Sequence, residues 1–371
     1  MDRNWSVVRP RERGLSGEST DKPFVSVVIP GYNEASIVKE NLEILCRYLE
    51  TIEDRYRWEV VVVDDGSTDG TGEIADNFAK ARDNVRVLHH FTNFNVGQAL
   101  KFGFNHCCGD YIVSMDMDLS YGPEHIGRLL DTIREKRAKI VIASPYMKGG
   151  KVASVPRLRK TLSISANKFL SFTARGSLST LTGMVRAYDR KFLQSLSLRS
   201  TDVSINAEII YKAMLLRARI LEIPGTLDWN PKKDPHFRRK SSIRIKRSII
   251  AYLLSGFAFR PFIFFIFPGL FLALIAAFSF FWVFAHTISQ LSYLPPSVES
   301  FWIRLSAAVA LAFQQAPHTF LIGGVSLMLS IQLISLGILS MQNKKQFEEL
   351  FYLGTNIYKQ PVKMGRELDG N

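Results

Sequence analysis

Over the first 230 positions, apolar residues arrive in short, nearly unbroken runs that alternate with segments of helical period. Val25-Ser26-Val27-Val28-Ile29 is followed by a helical pattern from roughly Glu34 to Ile52, and Glu59-Val60-Val61-Val62-Val63 by another near Gly72 to Arg82. A run at Val85 to His89, a helical stretch near Val96 to Cys107 and the run Tyr111-Ile112-Val113-Ser114-Met115 continue the series. Runs of this kind predict strands, and their alternation with helices predicts βαβ units and a largely parallel sheet covered on both faces. Ligands of such sheets bind outside the carboxyl ends of the strands. The polar residues that follow each run are therefore where chemistry is expected.

Beyond residue 230 the pattern changes. From Pro231 to Arg260 the chain is basic, with Lys232, Lys233, Arg238, Arg239, Lys240, Arg244, Lys246, Arg247 and Arg260 facing only Asp234. Pro261 to Ala285 then carries no charge, and Phe320 to Met341 is a second uncharged stretch, with Lys344 and Lys345 after it. A helix over the first would be about 37 Å long, enough to cross a hydrocarbon core of about 30 Å. Positive charge before the first span and after the second places both ends in the cytoplasm. The run Phe301 to Phe313 is interrupted by Arg304 and reads as interfacial or re-entrant. Ile243 to Phe259 mixes Arg244, Lys246 and Arg247 with apolar residues, the pattern of a helix lying in the interface; a plain solvated helix is the alternative.

The expected organisation is thus a tail over 1–22, an α/β domain over 23–230, and a basic loop with an amphipathic helix over 231–260. A membrane hairpin over 261–342 and a cytoplasmic tail over 343–371 complete it. Met1 to Asp21 is polar, without the apolar core of a cleaved signal peptide. Three cysteines, Cys46, Cys107 and Cys108, have no metal-ligand spacing and suit a reducing compartment. The net charge of +13 could suggest nucleic acid, but its concentration beside the apolar spans fits anionic lipid headgroups or a phosphorylated lipid better. The implied address is the cytoplasmic membrane, or that of the endoplasmic reticulum in a eukaryote, with the α/β domain facing the cytoplasm. An oligomer is compatible with such a hairpin.

Three polar clusters follow the strand runs. In Pro30-Gly31-Tyr32-Asn33-Glu34, Asn33 can cap the next helix, or Tyr32 and Glu34 can offer an aromatic face and an acceptor to a base or ribose. In Asp64-Asp65-Gly66-Ser67-Thr68-Asp69-Gly70-Thr71 the glycines permit tight turns. Two acids would repel phosphates, and the Lys of a P-loop is absent, so Asp65 suits a nucleobase N–H or a ribose hydroxyl better. In Asp116-Met117-Asp118-Leu119-Ser120 paired carboxylates end an apolar strand, where mutual repulsion disfavours both. A divalent cation resolves the conflict, and hard oxygen ligands suit Mg²⁺ or Mn²⁺ completed by a substrate's phosphates. A surface turn with solvated acids is the other reading.

In order and location these clusters resemble the family 2 glycosyltransferases of the GT-A fold. Within that family the chain resembles the dolichol-phosphate mannose synthase branch, which includes polyprenyl-phosphate glycosyltransferases. The narrowing residues are Asp118-Leu119 with Pro123-Glu124, Arg159-Lys160 with Ser163, Ala166 and Asn167, then Leu181-Thr182-Gly183 with Arg186-Ala187-Tyr188, and Glu208 ahead of Glu222-Ile223-Pro224. The resemblance spans about Pro23 to Ile250 and implies a GT-A domain with a mostly parallel sheet, then interfacial helices and two transmembrane helices. It implies that Pro30, Tyr32, Glu34, Val63 and Asp65 hold the nucleoside of a nucleotide-diphosphate sugar, with Met117 also against substrate. Asp116 and Asp118 would bind Mg²⁺ or Mn²⁺ and the donor diphosphate, with Ser120 coordinating directly or through water. Arg159 and Ser163 would receive the phosphate of a polyprenyl phosphate.

Two departures fall near the acceptor. Ser144-Pro145-Tyr146 stands where the branch has a Ser/Thr-Arg-Tyr triplet, and Ser120 where it has Gln. Arg157, Lys148 or Lys151 would have to supply the missing cation, or the acceptor differs. Lys232, Arg238 and Arg239 are further candidates for phosphate contact. A phosphate nucleophile needs no strong base, whereas a lipid or saccharide hydroxyl would need one, for which Glu208, or Asp202, is the choice. Both Arg159 and Glu208 also read as helix-surface charges. His89 and His90 have no spaced partner and do not read as catalytic. The sequence thus points to an inverting, metal-dependent membrane glycosyltransferase; the alternative to a polyprenyl phosphate acceptor is a hydroxyl acceptor, as in a glycolipid synthase.

Overall fold

The computed structural model describes residues 22–153, 167, 178–228, 261–294 and 300–359. Arg157, Arg159, Ser163, Lys232, Arg238, Arg239, the tail over 1–21 and the basic amphipathic segment over 243–259 lie outside the described residues.

The expected alternation is present. Strands β1 (Phe24–Gly31), β2 (Arg57–Asp64), β3 (Val85–His89) and β4 (Tyr111–Ser114) are separated by helices α1 (Val38–Glu50), α2 (Thr71–Lys80) and α3 (Val96–His106). Then come α4 (Glu124–Glu135), β5 (Ile140–Ser144), β6 (Lys151–Ala153), β7 (Arg186–Asp189), α5 (Arg190–Gln194), α6 (Ile205–Leu215), β8 (Ile220–Pro224) and β9 (Thr226–Asp228). Seven strands form one sheet in the order β3-β2-β1-β4-β7-β5-β8. All its pairings are parallel except those of β7, which runs antiparallel to β4 and β5.

Alternation within the apolar runs sends neighbouring side chains to opposite faces. Val27, Ile29, Val60, Val62 and Val113 pack with α1, α2 and α4 on one face. Val28, Val61, Val63 and Ile112 pack with α3, α5 and α6 on the other. The helices answer with apolar residues every third or fourth position: α1 buries Val38, Leu42, Leu45 and Leu49. Because β2 and β4 flank β1 on opposite sides, the chain departs from β1 at a topological switch point, and a crevice opens beyond the carboxyl ends of these strands.

The C-terminal helices are longer than the uncharged stretches that announced them. Helix α7 covers Pro261–Tyr293, α8 Phe301–Gln315 and α9 Pro317–Lys359. The first and third are long and apolar enough to cross a membrane, and most of their large apolar side chains are exposed, Phe271 and Leu274 among them. They run antiparallel, with Gly323 against Ser279 and Gly337 against Ile266. At 15 residues α8 is about 22 Å long, too short to span, and its Arg304 donates to the carbonyls of Leu291 and Leu294 at 3.4 and 2.9 Å, closing the open end of α7. The expected tail beyond residue 342 instead continues α9, and Lys212 Nζ of α6 lies 5.7 Å from the Phe351 ring centroid.

Candidate active site

The loops after β1 and β2 are stitched together by side-chain bonds to backbone amides. Asn33 takes a left-handed φ of 57°, turning its amide onto Ser67 Oγ at 3.0 Å and its Oδ1 onto the Thr68 N–H at 2.9 Å. Thr71 Oγ1 accepts from the Glu34 amide at 2.7 Å, and Asp69 from those of Ala35 and Thr71 at 3.1 and 3.0 Å. Asn33 therefore does not cap α1; it braces the second cluster. Tyr32 is 44 % exposed at the rim, Pro30 is half-buried and Gly31 lies on the crevice floor.

Asp64 and Asp65 divide the labour at the end of β2. Asp64 spends both oxygens inside the protein: Oδ1 accepts from the Ser67 amide at 3.1 Å and Oδ2 meets His89 Nδ1 at 3.1 Å. His89 also meets Asp76 at 3.1 Å, and hydrogen bonding to Asp64 first, then to Asp76, outweighs partial burial and lifts its pKa to about 9. Asp65 makes its bonds through Oδ1 alone, to His90 Nδ1 at 2.6 Å and the Phe94 amide at 3.0 Å. Sequence spacing missed both histidines because their partners sit on a neighbouring strand, in register, rather than at a fixed offset.

The third cluster leaves β4 through a tight turn in which Leu119 has φ 48° and donates to the Asp116 carbonyl. The Ser120 amide holds Asp118 Oδ1 at 2.9 Å, while its carbonyl accepts from Asp228 at 2.9 Å. Asp116 is half-buried. Burial, then the charges of Asp118 and Glu34, drive its pKa well above the ordinary carboxylate range. No ion pair offsets it among the described residues. Two carboxylates at this turn are hard oxygen donors of the kind Mg²⁺ or Mn²⁺ takes; among the described residues no group of three acids, histidines or cysteines makes a protein-only site, so a substrate's phosphates would have to complete the shell.

Three of the expected site side chains are turned to other contacts. Val63 is fully buried in the core shared with α3, so its side chain does not face a nucleoside. Met117 is 4 % exposed, with its side chain in the core beneath Gly31 and its carbonyl bound by Asn41 Nδ2 at 2.8 Å, so its side chain does not face a substrate either. Glu208 is not a free base. Its carboxylate meets Lys212 Nζ at 2.6 Å and accepts the Arg199 and Ser200 amides at 2.9 and 2.7 Å. Burial pushes its pKa up, but Lys212 and the amides outweigh that and hold it low. Asp202 holds the amide and hydroxyl of Ser204 at 2.9 and 2.6 Å through Oδ1.

Glu208→Gln is accordingly expected to leave turnover within about twofold of wild type. It should lower stability by about 1–3 kcal/mol, because Lys212 becomes a buried cation without its partner. Initial rates and urea unfolding together check this; a large loss of turnover at unchanged affinity would restore Glu208 as a base.

On the acceptor side, Pro145 is buried and offers no charge, while Lys148 and Lys151 are exposed. The segment 178–183 is fastened from three directions. Glu222 accepts from the Ser179 and Thr180 amides at 2.8 and 2.9 Å, Asn167 Oδ1 from the Leu181 amide at 2.9 Å, and Arg186 donates to the Leu181 and Gly183 carbonyls at 2.6 and 2.7 Å.

Residues 26–197 match the family model described as Glycosyl transferase family 2. The chain is 32 % identical over 228 residues to a polyprenol monophosphomannose synthase of Mycolicibacterium smegmatis, covering 60 % of this chain and 79 % of the relative. It is 33 % identical over 209 residues to an undecaprenyl-phosphate mannosyltransferase of Micrococcus luteus, covering 54 % and 82 %. Among solved structures, glucosyl-3-phosphoglycerate synthase from Mycobacterium tuberculosis matches at 20 % identity and a TM-score of 0.48, over 63 % of this chain and 78 % of that one. With such identity over four-fifths of a relative's length, and with the three loops gathered at one sheet edge, the chain belongs to glycosyltransferase family 2 and carries its GT-A fold.

Proposed function

We propose that the protein transfers one sugar, with inversion, from a nucleotide-diphosphate sugar to a polyprenyl phosphate at the cytoplasmic face of a membrane. The observation that carries the donor half is Asp116, a half-buried carboxylate pressed by Asp118 and Glu34. Asp116 and Asp118 would hold Mg²⁺ or Mn²⁺, with Ser120 contributing through its hydroxyl or a water. When bound, such a cation neutralises the charge that develops on the departing diphosphate. Asp65 and Tyr32 take the nucleoside, and the stitched loops keep them in place without rearrangement on binding.

The acceptor half is supported by the state of Glu208. A hydroxyl nucleophile needs a base, and the Glu208 carboxylate is taken up by Lys212 and two backbone amides. A phosphate arrives already ionised and needs only to be held in line with the anomeric carbon. Arg159 and Ser163 are the positions for that, guanidinium geometry suiting two-point contact with phosphate. Lys232, Arg238 and Arg239 are candidates to screen the charge of the approaching lipid. Helices α7 and α9 anchor the domain in the bilayer, and the basic stretch before α7 meets anionic headgroups. The likeness to a monophosphomannose synthase and a mannosyltransferase makes mannose the first sugar to try.

The test is a panel of nucleotide sugars with polyprenyl phosphate, using purified full-length protein, with and without EDTA. Transfer with at least one donor is expected, abolished by EDTA and restored by excess Mn²⁺ or Mg²⁺. Transfer to diacylglycerol but not to the phosphate would replace the acceptor; activity indifferent to EDTA would remove the cation.

A further inference from the structure

We propose that His90 is a positioning residue for donor binding, fixing Asp65 through one carboxylate oxygen so that the other is presented to the nucleoside. The sheet register creates the pair. Strands β2 and β3 run parallel with Asp64 opposite His89, so the next residue of each, Asp65 and His90, leave the sheet together. The His90 amide donates to the Asp64 carbonyl at 2.9 Å, extending the ladder by one rung. Its Nδ1 then lies 2.6 Å from Asp65 Oδ1, with the side chains 8 % and 4 % exposed. A carboxylate oxygen only accepts, so this contact selects the imidazole form that carries hydrogen on Nδ1.

Three further contacts make the arrangement rigid. The Phe94 amide donates to the same Oδ1 at 3.0 Å. The imidazole is wedged between the rings of Phe94 and Phe102, at centroid distances of 5.2 and 4.8 Å. The Asp65 amide is bound by the Gly31 carbonyl at 2.9 Å, which ties it to the loop bearing Tyr32. Oδ1 is thereby doubly occupied, while Oδ2 accepts no hydrogen bond from any described residue. Asp64, one position earlier, has neither oxygen to spare. A carboxylate free to rotate would have to be ordered when the nucleoside binds; here His90 and Phe94 have ordered it beforehand.

This rests on the reading of Asp65 as a nucleoside contact, and the experiment separates the two. Full-length protein in detergent is titrated calorimetrically with GDP and with UDP, each in the presence of Mn²⁺, as wild type, Asp65→Ala, His90→Phe, His90→Asn and the double variant D65A/H90F. His90→Phe keeps the ring packing but removes the donor, and is expected to weaken the tighter nucleotide about tenfold. Steady-state rates should show that loss in the donor KM with kcat little changed. His90→Asn, which retains a short-armed N–H donor, should recover most of the affinity. In the Asp65→Ala background His90→Phe should cost nothing further. If Asp65→Ala itself leaves both affinities unchanged, the nucleoside reading of Asp65 falls and this proposal with it. If Asp65→Ala weakens binding but His90→Phe does not, or if their losses add in the double variant, only the positioning role is overturned.

Discussion

Asp116→Asn should abolish sugar transfer, by about 10³-fold or more, while making the cation-free protein more stable. Amide and carboxylate have nearly the same shape, so packing around β4 is kept and only charge is removed. Activity falls because a neutral amide neither draws a divalent cation nor shares its hold on the diphosphate. Stability rises because the native charge is costly: Asp116 is partly desolvated beside Asp118 and Glu34, and its folded-state pKa is raised. The folded protein then binds a proton that the unfolded chain has already released, from the ordinary carboxylate range up to the raised value. Across that window stability falls as pH rises. In EDTA, wild type should therefore lose thermal stability on going from about pH 5 to pH 8, and the variant should show a flatter profile with a Tm about 2–4 °C higher at the alkaline end. Excess Mn²⁺ should raise the Tm of wild type and leave the variant unmoved. A variant that keeps its Mn²⁺ response, or its activity, would sink the cation site.

How much of this was legible depended on whether a residue's partner was near in sequence. Strand β3 was expected from Val85 to His89 and is found there, and β1, β2 and β4 fall where the apolar runs lie. Continuous apolar runs leave few alternatives once helices must cover both faces of the sheet. Helix α1 was expected from Glu34 but begins at Val38. The intervening residues are drawn into the crevice by Thr71 and Asp69, more than thirty positions away. The apolar spans were legible from the absence of charge, but α9 extends past them to Lys359. Lys344 and Glu348 bar a segment from lipid, not from a helix, and here they pair across one turn at 3.6 Å.

In the site, identity was easier to read than orientation. Asp65, Asp116 and Asp118 reach one crevice because β1, β2 and β4 are adjacent strands. Val63 and Met117 sit among the same clusters yet face inward, one into each core, because side-chain direction follows the pleat and the turn rather than the motif. His90 was legible only as an unpartnered histidine; parallel register supplied its carboxylate. Glu208 looked like an available acid because the sequence places it on a helix, while the amides that consume it come from the loop before that helix. For the acceptor this matters directly. A Glu208 held by Lys212 and two amides supports the proposed phosphate acceptor, which arrives ionised and needs no base.

Arg186→Ala should be the most destabilising single change in the α/β domain, by at least about 3 kcal/mol out of the roughly 5–15 that such domains possess. Arg186 is wholly buried, and burial pushes its pKa down, with Tyr188 and Glu222 opposing the shift. It is held by carbonyls: Nε donates to Gly183 at 2.7 Å and the terminal nitrogens to Asn206 at 2.8 Å and Leu181 at 2.6 Å. Three acceptors on β7's approach and on α6 are thus satisfied by one planar fork. Alanine would strand all of them away from water and leave a cavity besides. Lysine keeps the charge but offers a single nitrogen that cannot reach three diverging carbonyls, so Arg186→Lys should recover only part of the loss. Because Leu181 and Gly183 sit in the segment that Glu222 and Asn167 also fasten, the lysine variant should raise the KM of the proposed acceptor while nucleotide affinity stays near wild type. Urea unfolding gives the stability order wild type, lysine, alanine. A lysine variant equal to wild type in both midpoint and acceptor KM would show that charge, rather than the three-way fork, is what this buried position requires.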